Sequence, residues 1–224
     1  MGVIYTRVSR PRKEVIEAFR VLPTAIIADA MNRFNVMDSG IKPLYPGVKI
    51  CGPALTVREM VGCNIMLHKA IQIAEKGDVI VVDVGGYVNR AVGGYIVSLA
   101  AKVKGVEGIV VDGAWRDLED IRRERPLPIF ARAVTPAGPH KGYGGDINIT
   151  IQCGGVSVSP GDIIIGDEDG VVVVPKDEAE EVLKRARELL AKEREIIEKV
   201  KLGISTVEIY GFDEKLRALG VKVI

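Results

Sequence analysis

The sequence predicts an α/β fold in a single domain, with helical extensions at its N- and C-terminal ends. Near-continuous apolar runs at 79–84 and 108–112 are typical of strands covered on both faces of a sheet. These runs alternate with helical patterns, which indicates βαβ crossovers and at least partly parallel pairing. The chain of 224 residues is 47% hydrophobic and 27% charged, so it can bury a substantial core without disulfides.

Residues 1–45 are predicted to form a helical preface. Ser9, which precedes Pro11, is expected to cap a first helix, and Thr24, directly after Pro23, is expected to cap a second. Apolar residues recur at helical spacing after both positions. A stretch rich in glycine and proline, at 39–53, then ends the helical pattern.

Residues 46–175 carry the pattern of an αβ core. A segment that alternates like a half-buried strand comes first, and helices and buried strands follow in turn. The predicted elements are a strand at 54–60, a helix from about Asn64 to Lys76, a strand from Val79 to Val84, a helix at about 96–104, a strand from Gly108 to Asp112, a tight turn at Gly113 and a short helix from Asp117.

Short β segments follow Pro126, and helices follow them. The sequence GDEDG at 166–170 lies between two apolar runs, which predicts a hairpin. Residues 176–224 are predicted to be C-terminal helices, of which the first is long, charged and amphipathic, from Asp177 to Leu202. Ser205 and Glu208 have the spacing of a capping box for a last small helix.

Charge and cysteine content narrow the range of partners. The 31 basic and 30 acidic residues leave a net charge of +1, so we expect no nucleic-acid partner. The 3 cysteines have no paired spacing, which favours a reducing compartment, and we expect a cytoplasmic protein. No apolar run approaches the roughly 18 residues of a membrane span, so no membrane partner is expected. Long terminal helices often pack on a neighbouring subunit, which favours an oligomer.

A glycine pair precedes the predicted helix at 96–104 and forms a candidate anion site. Gly93 and Gly94 open this helix, so the backbone N–H groups of Gly94, Tyr95, Ile96 and Val97 are expected to point out of its positive end. A carboxylate suits such a site. The alternative is that the glycine pair only allows close packing.

The segment DGAWRD at 112–117 places charged side chains at the end of a buried strand, where open α/β sheets concentrate their function. Arg116 offers a planar fork for a carboxylate or an enolate oxygen. Asp117 offers a hard oxygen ligand for Mg²⁺ or Mn²⁺, which need few protein ligands. The alternative is a local ion pair that caps the short helix. His68 and His140 lack metal-ligand spacing, so no zinc site is expected.

The chain resembles the RraA-like family of class II pyruvate aldolases in three stretches, GGYIVSLAAKVKGVEGIVVDGAWRD at 93–117, PIFARAVTP at 128–136 and VSVSPGDIIIGDEDGVVVVP at 156–175. The similarity spans about Thr24 to Pro175. This family includes 4-hydroxy-4-methyl-2-oxoglutarate aldolase and proteins once labelled demethylmenaquinone methyltransferase. The resemblance implies a swivelling β/β/α-type domain, assembled into homotrimers or homohexamers with sites at subunit interfaces.

The resemblance also implies a function and a role for each matching residue. The activity is a divalent-metal-dependent cleavage of 4-hydroxy-4-methyl-2-oxoglutarate, or a similar 4-hydroxy-2-oxo acid, to pyruvate, with oxaloacetate decarboxylation as a further reaction. The amides of Gly94–Val97 and the side chain of Arg116 hold the 2-oxo acid, and Asp117 anchors the metal, Mg²⁺ or Mn²⁺. The family's aldolases are expected to carry an acidic residue after the motif glycine, but Tyr95 stands there. Tyr95 is therefore the predicted proton relay, which requires a depressed pKa.

A second reading comes from the same family. Some RraA-like proteins are implied to be non-catalytic regulators of ribonuclease activity that act by binding proteins. That branch lacks the metal-binding aspartate after the arginine, whereas Asp117 is present. The sequence therefore favours the enzyme.

Overall fold

The computed structural model describes residues 2–222, in which helices and strands alternate through the middle of the chain. The helices are α1 Lys13–Arg20, α2 Thr24–Ala30, α3 Ile65–Ile73, α4 Tyr95–Lys104, α5 Leu118–Glu124, α6 Ala179–Lys201, α7 Thr206–Tyr210 and α8 Phe212–Ala218. The strands are β1 Lys42–Pro43, β2 Ile50–Arg58, β3 Val79–Asp83, β4 Ala91–Gly93, β5 Gly108–Trp115, β6 Ile129–Val134, β7 Asp146–Ile147, β8 Ile151–Cys153, β9 Val156–Val158, β10 Ile163–Asp167 and β11 Gly170–Val174.

The main sheet combines a parallel centre with an antiparallel flank. Its strand order is β1-β6-β5-β3-β2-β10-β11, with β4 beside β5 and β7 beside β2. Strands β2, β3, β5 and β6 pair in parallel, whereas β10 pairs antiparallel with both β2 and β11. The predicted α/β fold class in a single domain is therefore confirmed, and so is the prediction of partly parallel pairing.

Two hydrophobic clusters cover the sheet. The larger cluster packs α3, α4 and α5 with the parallel strands, and the residues of β3 from Val79 to Val82 are fully buried in it. The smaller cluster packs α1, α2 and the first half of α6 with β10 and β11. Burial on both sides explains why these strands read as continuous apolar runs.

The predicted hairpin, and one of the two hydrogen bonds of the predicted capping box, are present in the structure. The segment at 166–170 turns between β10 and β11, where Asp167 pairs with Gly170 in an antiparallel hairpin. Ser205 Oγ accepts a hydrogen bond of 3.2 Å from the backbone N–H of Glu208, as expected of the cap of α7. None of the helices in residues 2–222 is long and apolar enough to cross a membrane.

Two predicted caps are wrong. Arg12, and not Ser9, is the N-cap of α1, and no side chain caps this helix. Thr24 is the first residue of α2, and its hydroxyl donates to Asp167 Oδ1 at 2.6 Å. The N-cap of α2 is Pro23, which has no side-chain acceptor for a capping hydrogen bond.

The tight turn predicted at Gly113 is also wrong, because β5 continues through this residue to Trp115. A Cβ atom at Gly113 would overlap Val84 Cγ2 and lie 3.1 Å from the carbonyl oxygen of Tyr87. The glycine therefore allows close packing inside an irregular strand and does not end it. The strand therefore ends three residues later than predicted, directly before Arg116 and Asp117.

Replacing Trp115 with alanine is expected to lower the free energy of unfolding by about 3–5 kcal/mol, because the indole is fully buried and its removal leaves a cavity. Trp115→Phe keeps most of the volume and serves as the conservative control, with a smaller expected loss. Urea denaturation followed by circular dichroism measures both values. A loss below about 1 kcal/mol for the alanine variant would contradict the packing role.

Candidate active site

The candidate site lies where the C-terminal end of β5 meets the start of α4. Gly93, the last residue of β4, pairs with Trp115 of β5, and its carbonyl oxygen accepts a hydrogen bond of 3.1 Å from the N–H of Arg116. The first turn of α4 and the pair Arg116–Asp117 therefore meet at the carboxyl ends of parallel strands, as predicted. Ligands in open α/β sheets bind at this edge.

Asp117 joins the two segments directly. Its Oδ2 atom accepts a hydrogen bond of 2.9 Å from the N–H of Tyr95 and lies 3.8 Å from Arg116 Nε. Its backbone is left-handed, with φ 59° and ψ 40°. A non-glycine residue in this region often marks a functional constraint. The carboxylate makes no capping hydrogen bond to its own helix α5, which speaks against the alternative of a simple helix cap.

The anion site at the start of α4 is smaller than the sequence predicts. The Tyr95 amide is engaged by Asp117 and is therefore not free for a substrate, which corrects the role predicted for it. The amides of Ile96 and Val97 have no backbone partner within residues 2–222, as expected of the first turn of a helix. Both residues line the same cleft as Gly94, whose amide likewise has no backbone partner in that range, so the amides of Gly94, Ile96 and Val97 remain the candidate carboxylate donors.

Arg116 provides an available cation beside these amides. Its side chain is 40% exposed, and within the described residues its guanidinium has only the 3.8 Å ion pair to Asp117. A Cβ atom at Gly138 would lie 2.5 Å from Arg116 Nη1, so the loop after β6 passes close to the guanidinium. The free fork can make bidentate contacts with a planar oxyanion.

These residues line a cleft of about 180 Å³, which we call the cleft throughout. One wall is the start of α4 with the end of β5, a second is α3 and a third is the loop after β6. The lining residues are Asn64, His68, Gly93, Gly94, Ile96, Val97, Arg116, Asp117, Gly138, Pro139 and Lys141. The cleft thus brings together the predicted Gly94, Ile96, Val97, Arg116 and Asp117.

The side chain of Tyr95 lies elsewhere. It is half-buried, packs against the larger hydrophobic cluster, and is absent from the lining of the cleft. The catalytic role predicted for its hydroxyl stays a prediction, and the geometry of the single chain gives that role no support. The residue after the motif glycine instead contributes its backbone N–H, which holds Asp117.

Asn64, His68 and Lys141 line the cleft although sequence reasoning did not select them. Neither of the two histidines has metal-ligand spacing, so the sequence predicts no site residue at either position. Burial, and then the positive charge of Lys141, lower the pKa of His68 below its ordinary value. The one available signal was the i, i+4 spacing of Asn64 and His68 on a predicted helix, which does not show that this helix faces Arg116.

A buried carboxylate holds the wall that carries His68. Glu59 follows β2 and is only 4% exposed, and its Oε2 atom accepts hydrogen bonds from the N–H groups of Met66 at 2.8 Å and Leu67 at 3.1 Å. Burial raises the pKa of Glu59, and these amide donors oppose that rise. The carboxylate therefore fixes the first turn of α3 against the end of the sheet.

The cleft offers a divalent cation one carboxylate ligand, the side chain of Asp117. Within residues 2–222 no three histidine, cysteine or acidic residues cluster closely enough to form a ligand cage. The Oδ1 atom of Asp117 has no hydrogen-bond partner among the described residues, while Oδ2 is held by Tyr95. One carboxylate oxygen with water as the remaining ligands suits Mg²⁺ or Mn²⁺ and does not suit zinc.

Comparison with known proteins decides the family. A model of the RraA-like family, described as Aldolase/RraA, matches residues 24–173. This chain belongs to the RraA-like family. A relative from Halalkalibacterium halodurans, named "Putative 4-hydroxy-4-methyl-2-oxoglutarate aldolase", is 44% identical over 181 residues, which cover 80% of this chain and 85% of the relative.

Other RraA-like proteins carry names of two kinds. The 4-hydroxy-4-methyl-2-oxoglutarate aldolase of Thermus thermophilus is 35% identical over 113 residues, which cover 50% of this chain and 68% of that protein. The structure of RraAS2 from Streptomyces coelicolor, described as an unusual member of the RNase ES inhibitor RraA protein family, has a TM-score of 0.75 and 28% identity, covering 86% of this chain and 100% of that one. The family therefore contains proteins named as enzymes and proteins named as inhibitors.

Gly94→Ala is expected to lower kcat/KM for pyruvate release, the activity proposed below, by at least about 100-fold, because a small displacement of the groups that line the cleft has a cost of this size. The new Cβ atom would overlap Asp117 Oδ2 and lie 2.8 Å from Arg116 Cγ, so both side chains must move. Gly142→Ala is the matched control, since a Cβ atom there meets nothing within 4 Å. Equal kinetics for the two variants of this RraA-like protein would contradict the expectation.

Proposed function

We propose that this RraA-like protein is a class II pyruvate aldolase. It cleaves 4-hydroxy-4-methyl-2-oxoglutarate, or a similar 4-hydroxy-2-oxo acid, and releases pyruvate with the help of a divalent metal. The observation that carries the proposal is the meeting of the unengaged Arg116 fork, the Asp117 carboxylate and the free amides of α4 in one cleft. Cation, carboxylate and amides together suit a 2-oxo acid.

The residues of the chain act first by binding and orienting the 2-oxo acid. The amides of Ile96 and Val97 donate to its carboxylate at the positive end of α4. Arg116 donates to the 2-oxo oxygen, on which negative charge grows as the bond between C3 and C4 breaks. The guanidinium therefore stabilises the enolate more than the ketone, which is how it lowers the barrier.

Asp117 is the residue that would hold the metal, through its Oδ1 atom. A bound Mg²⁺ or Mn²⁺ supplies Lewis-acid stabilisation of the developing oxyanion. Tyr95 contributes by fixing the orientation of the carboxylate with its backbone N–H. Decarboxylation of oxaloacetate leaves the same pyruvate enolate, so the same residues support it as a further reaction.

The test is a substrate panel with and without metal. Pyruvate release from 4-hydroxy-4-methyl-2-oxoglutarate and from oxaloacetate is measured with Mg²⁺, with Mn²⁺ and after treatment with EDTA. We expect turnover that EDTA abolishes and added metal restores. A metal-independent rate, or trapping of a lysine adduct by borohydride, would contradict the class II mechanism.

A second candidate function is regulation of a ribonuclease by protein binding. It is favoured by the likeness to RraAS2, which is described as an unusual member of the RNase ES inhibitor RraA protein family. The test measures inhibition of a purified ribonuclease E-type enzyme beside the aldolase assay. The two results together separate the regulator from the aldolase. Inhibition without turnover of either substrate would favour the regulator.

A further inference from the structure

We infer that His68 is the proton carrier of the proposed cleavage, a role that rests on the proposed function. Its imidazole takes the proton of the C4 hydroxyl as the electron pair of the C3–C4 bond moves into the enolate. The same imidazole then returns this proton to C3, which completes the methyl group of pyruvate. One proton is taken and one is returned, so the step needs no further reactant.

The position of His68 supports this role. His68 lines the cleft on α3, whereas the candidate carboxylate site and Arg116 line it on α4 and β5. A 2-oxo acid held by Arg116 and the Ile96 amide therefore extends its C4 end toward the remaining walls, which are α3 and the loop of Lys141. Tyr95, whose place in the sequence suggested the relay, is half-buried against the larger hydrophobic cluster instead.

Asn64 gives the imidazole a fixed orientation. It is 3% exposed, and its Nδ2 atom lies 3.3 Å from His68 Nε2, while its Oδ1 atom is buried without a hydrogen-bond partner among residues 2–222. The two ends of an amide have the same shape, so either can face the ring. With Oδ1 toward Nε2–H, the proton stays on Nε2 and Nδ1 keeps the lone pair of a base.

Partial burial of the imidazole, and then the positive charge of Lys141, keep this base neutral. Lys141 on the loop and Arg116 at the end of β5 contribute positive charge to the cleft, and Asp117 contributes negative charge; on α3 itself the partner is the uncharged Asn64. Burial and Lys141 lower the pKa of His68. The neutral form, which accepts a proton, therefore predominates at neutral pH, and activity falls as the pH drops through that pKa.

The test compares wild-type protein, His68→Gln and His140→Gln. His140 is the other histidine of the chain, is exposed, and does not line the cleft, so its variant is the matched control. We measure kcat and KM for pyruvate release across pH, exchange of the pyruvate methyl protons with D₂O by NMR, and loss of oxaloacetate. Thermal denaturation checks that each variant is folded.

His68→Gln is expected to lower kcat for cleavage and the exchange rate by about 100-fold or more, to leave KM within about threefold, and to remove the acidic limb of the pH profile. Loss of oxaloacetate is expected to fall less, because decarboxylation removes no hydroxyl proton. Equal losses in both reactions, an intact acidic limb, or kinetics like those of His140→Gln would overturn the role of His68 alone. A wild-type protein that turns over neither substrate would overturn the proposed function and this role with it.

Discussion

Replacing Arg116 with alanine is expected to lower kcat/KM for 4-hydroxy-4-methyl-2-oxoglutarate by about 1,000-fold, the cost of removing a donor aimed at a developing oxyanion. Within the described residues the guanidinium has only a 3.8 Å ion pair, so little folding energy depends on it. The loss should therefore appear in kinetics and not in the melting temperature. Steady-state assays with saturating Mg²⁺, together with thermal denaturation, measure the two effects.

Two further variants separate the shape of the Arg116 fork from its charge. Arg116→Lys keeps the charge but loses the planar pair of donors, so we expect it to recover only part of the activity. Arg123→Ala removes an exposed arginine whose partners are Asp120 and Glu124 on α5, and it should leave kcat/KM unchanged. A normal rate for Arg116→Ala would remove the main support for enolate stabilisation by this side chain.

The order of the core elements was predictable because each strand carries its own signal. Strands buried on both faces, such as β3, must be apolar throughout, and the turn between β10 and β11 must carry turn residues. The extension of β5 through Gly113 was not predictable in this way. The extension pairs Ala114 and Trp115 with β4 and β6, and this pairing between separate segments is not encoded in the local sequence.

The candidate site also contains residues that the sequence could indicate and residues that only the fold brings together. Gly94, Arg116 and Asp117 belong to one continuous segment, so their resemblance to a family motif was visible in the sequence. His68 lies almost fifty positions before Arg116 and reaches the cleft only because Glu59 fixes the start of α3. The hydrogen bond from Tyr95 to Asp117, which removes one predicted donor, likewise appears only when two elements meet in space.

Asp117→Ala is expected to reduce the aldolase rate to the rate that wild-type protein shows in EDTA, because Asp117 is the only carboxylate among residues 2–222 that lines the cleft. Metal binding provides a second readout that does not depend on turnover. Titration of Mn²⁺ followed by electron paramagnetic resonance should show affinity reduced by at least about tenfold, since one charged ligand is removed. Asp117→Asn keeps a neutral oxygen ligand. We therefore expect its Mn²⁺ affinity to lie between the affinities of wild-type protein and Asp117→Ala.

The choice of control decides what the Asp117 experiment can prove. Asp120 is a neighbouring carboxylate that pairs with Arg123 on the surface and does not line the cleft, so Asp120→Asn tests loss of charge alone. Asp117 also holds the Tyr95 amide at the start of α4, so its loss disturbs the anion site as well. Metal ligation predicts that Asp117→Ala loses Mn²⁺ affinity together with activity. Lost activity with wild-type Mn²⁺ affinity would instead make Asp117 a residue that only orders α4, and the metal would then bind elsewhere.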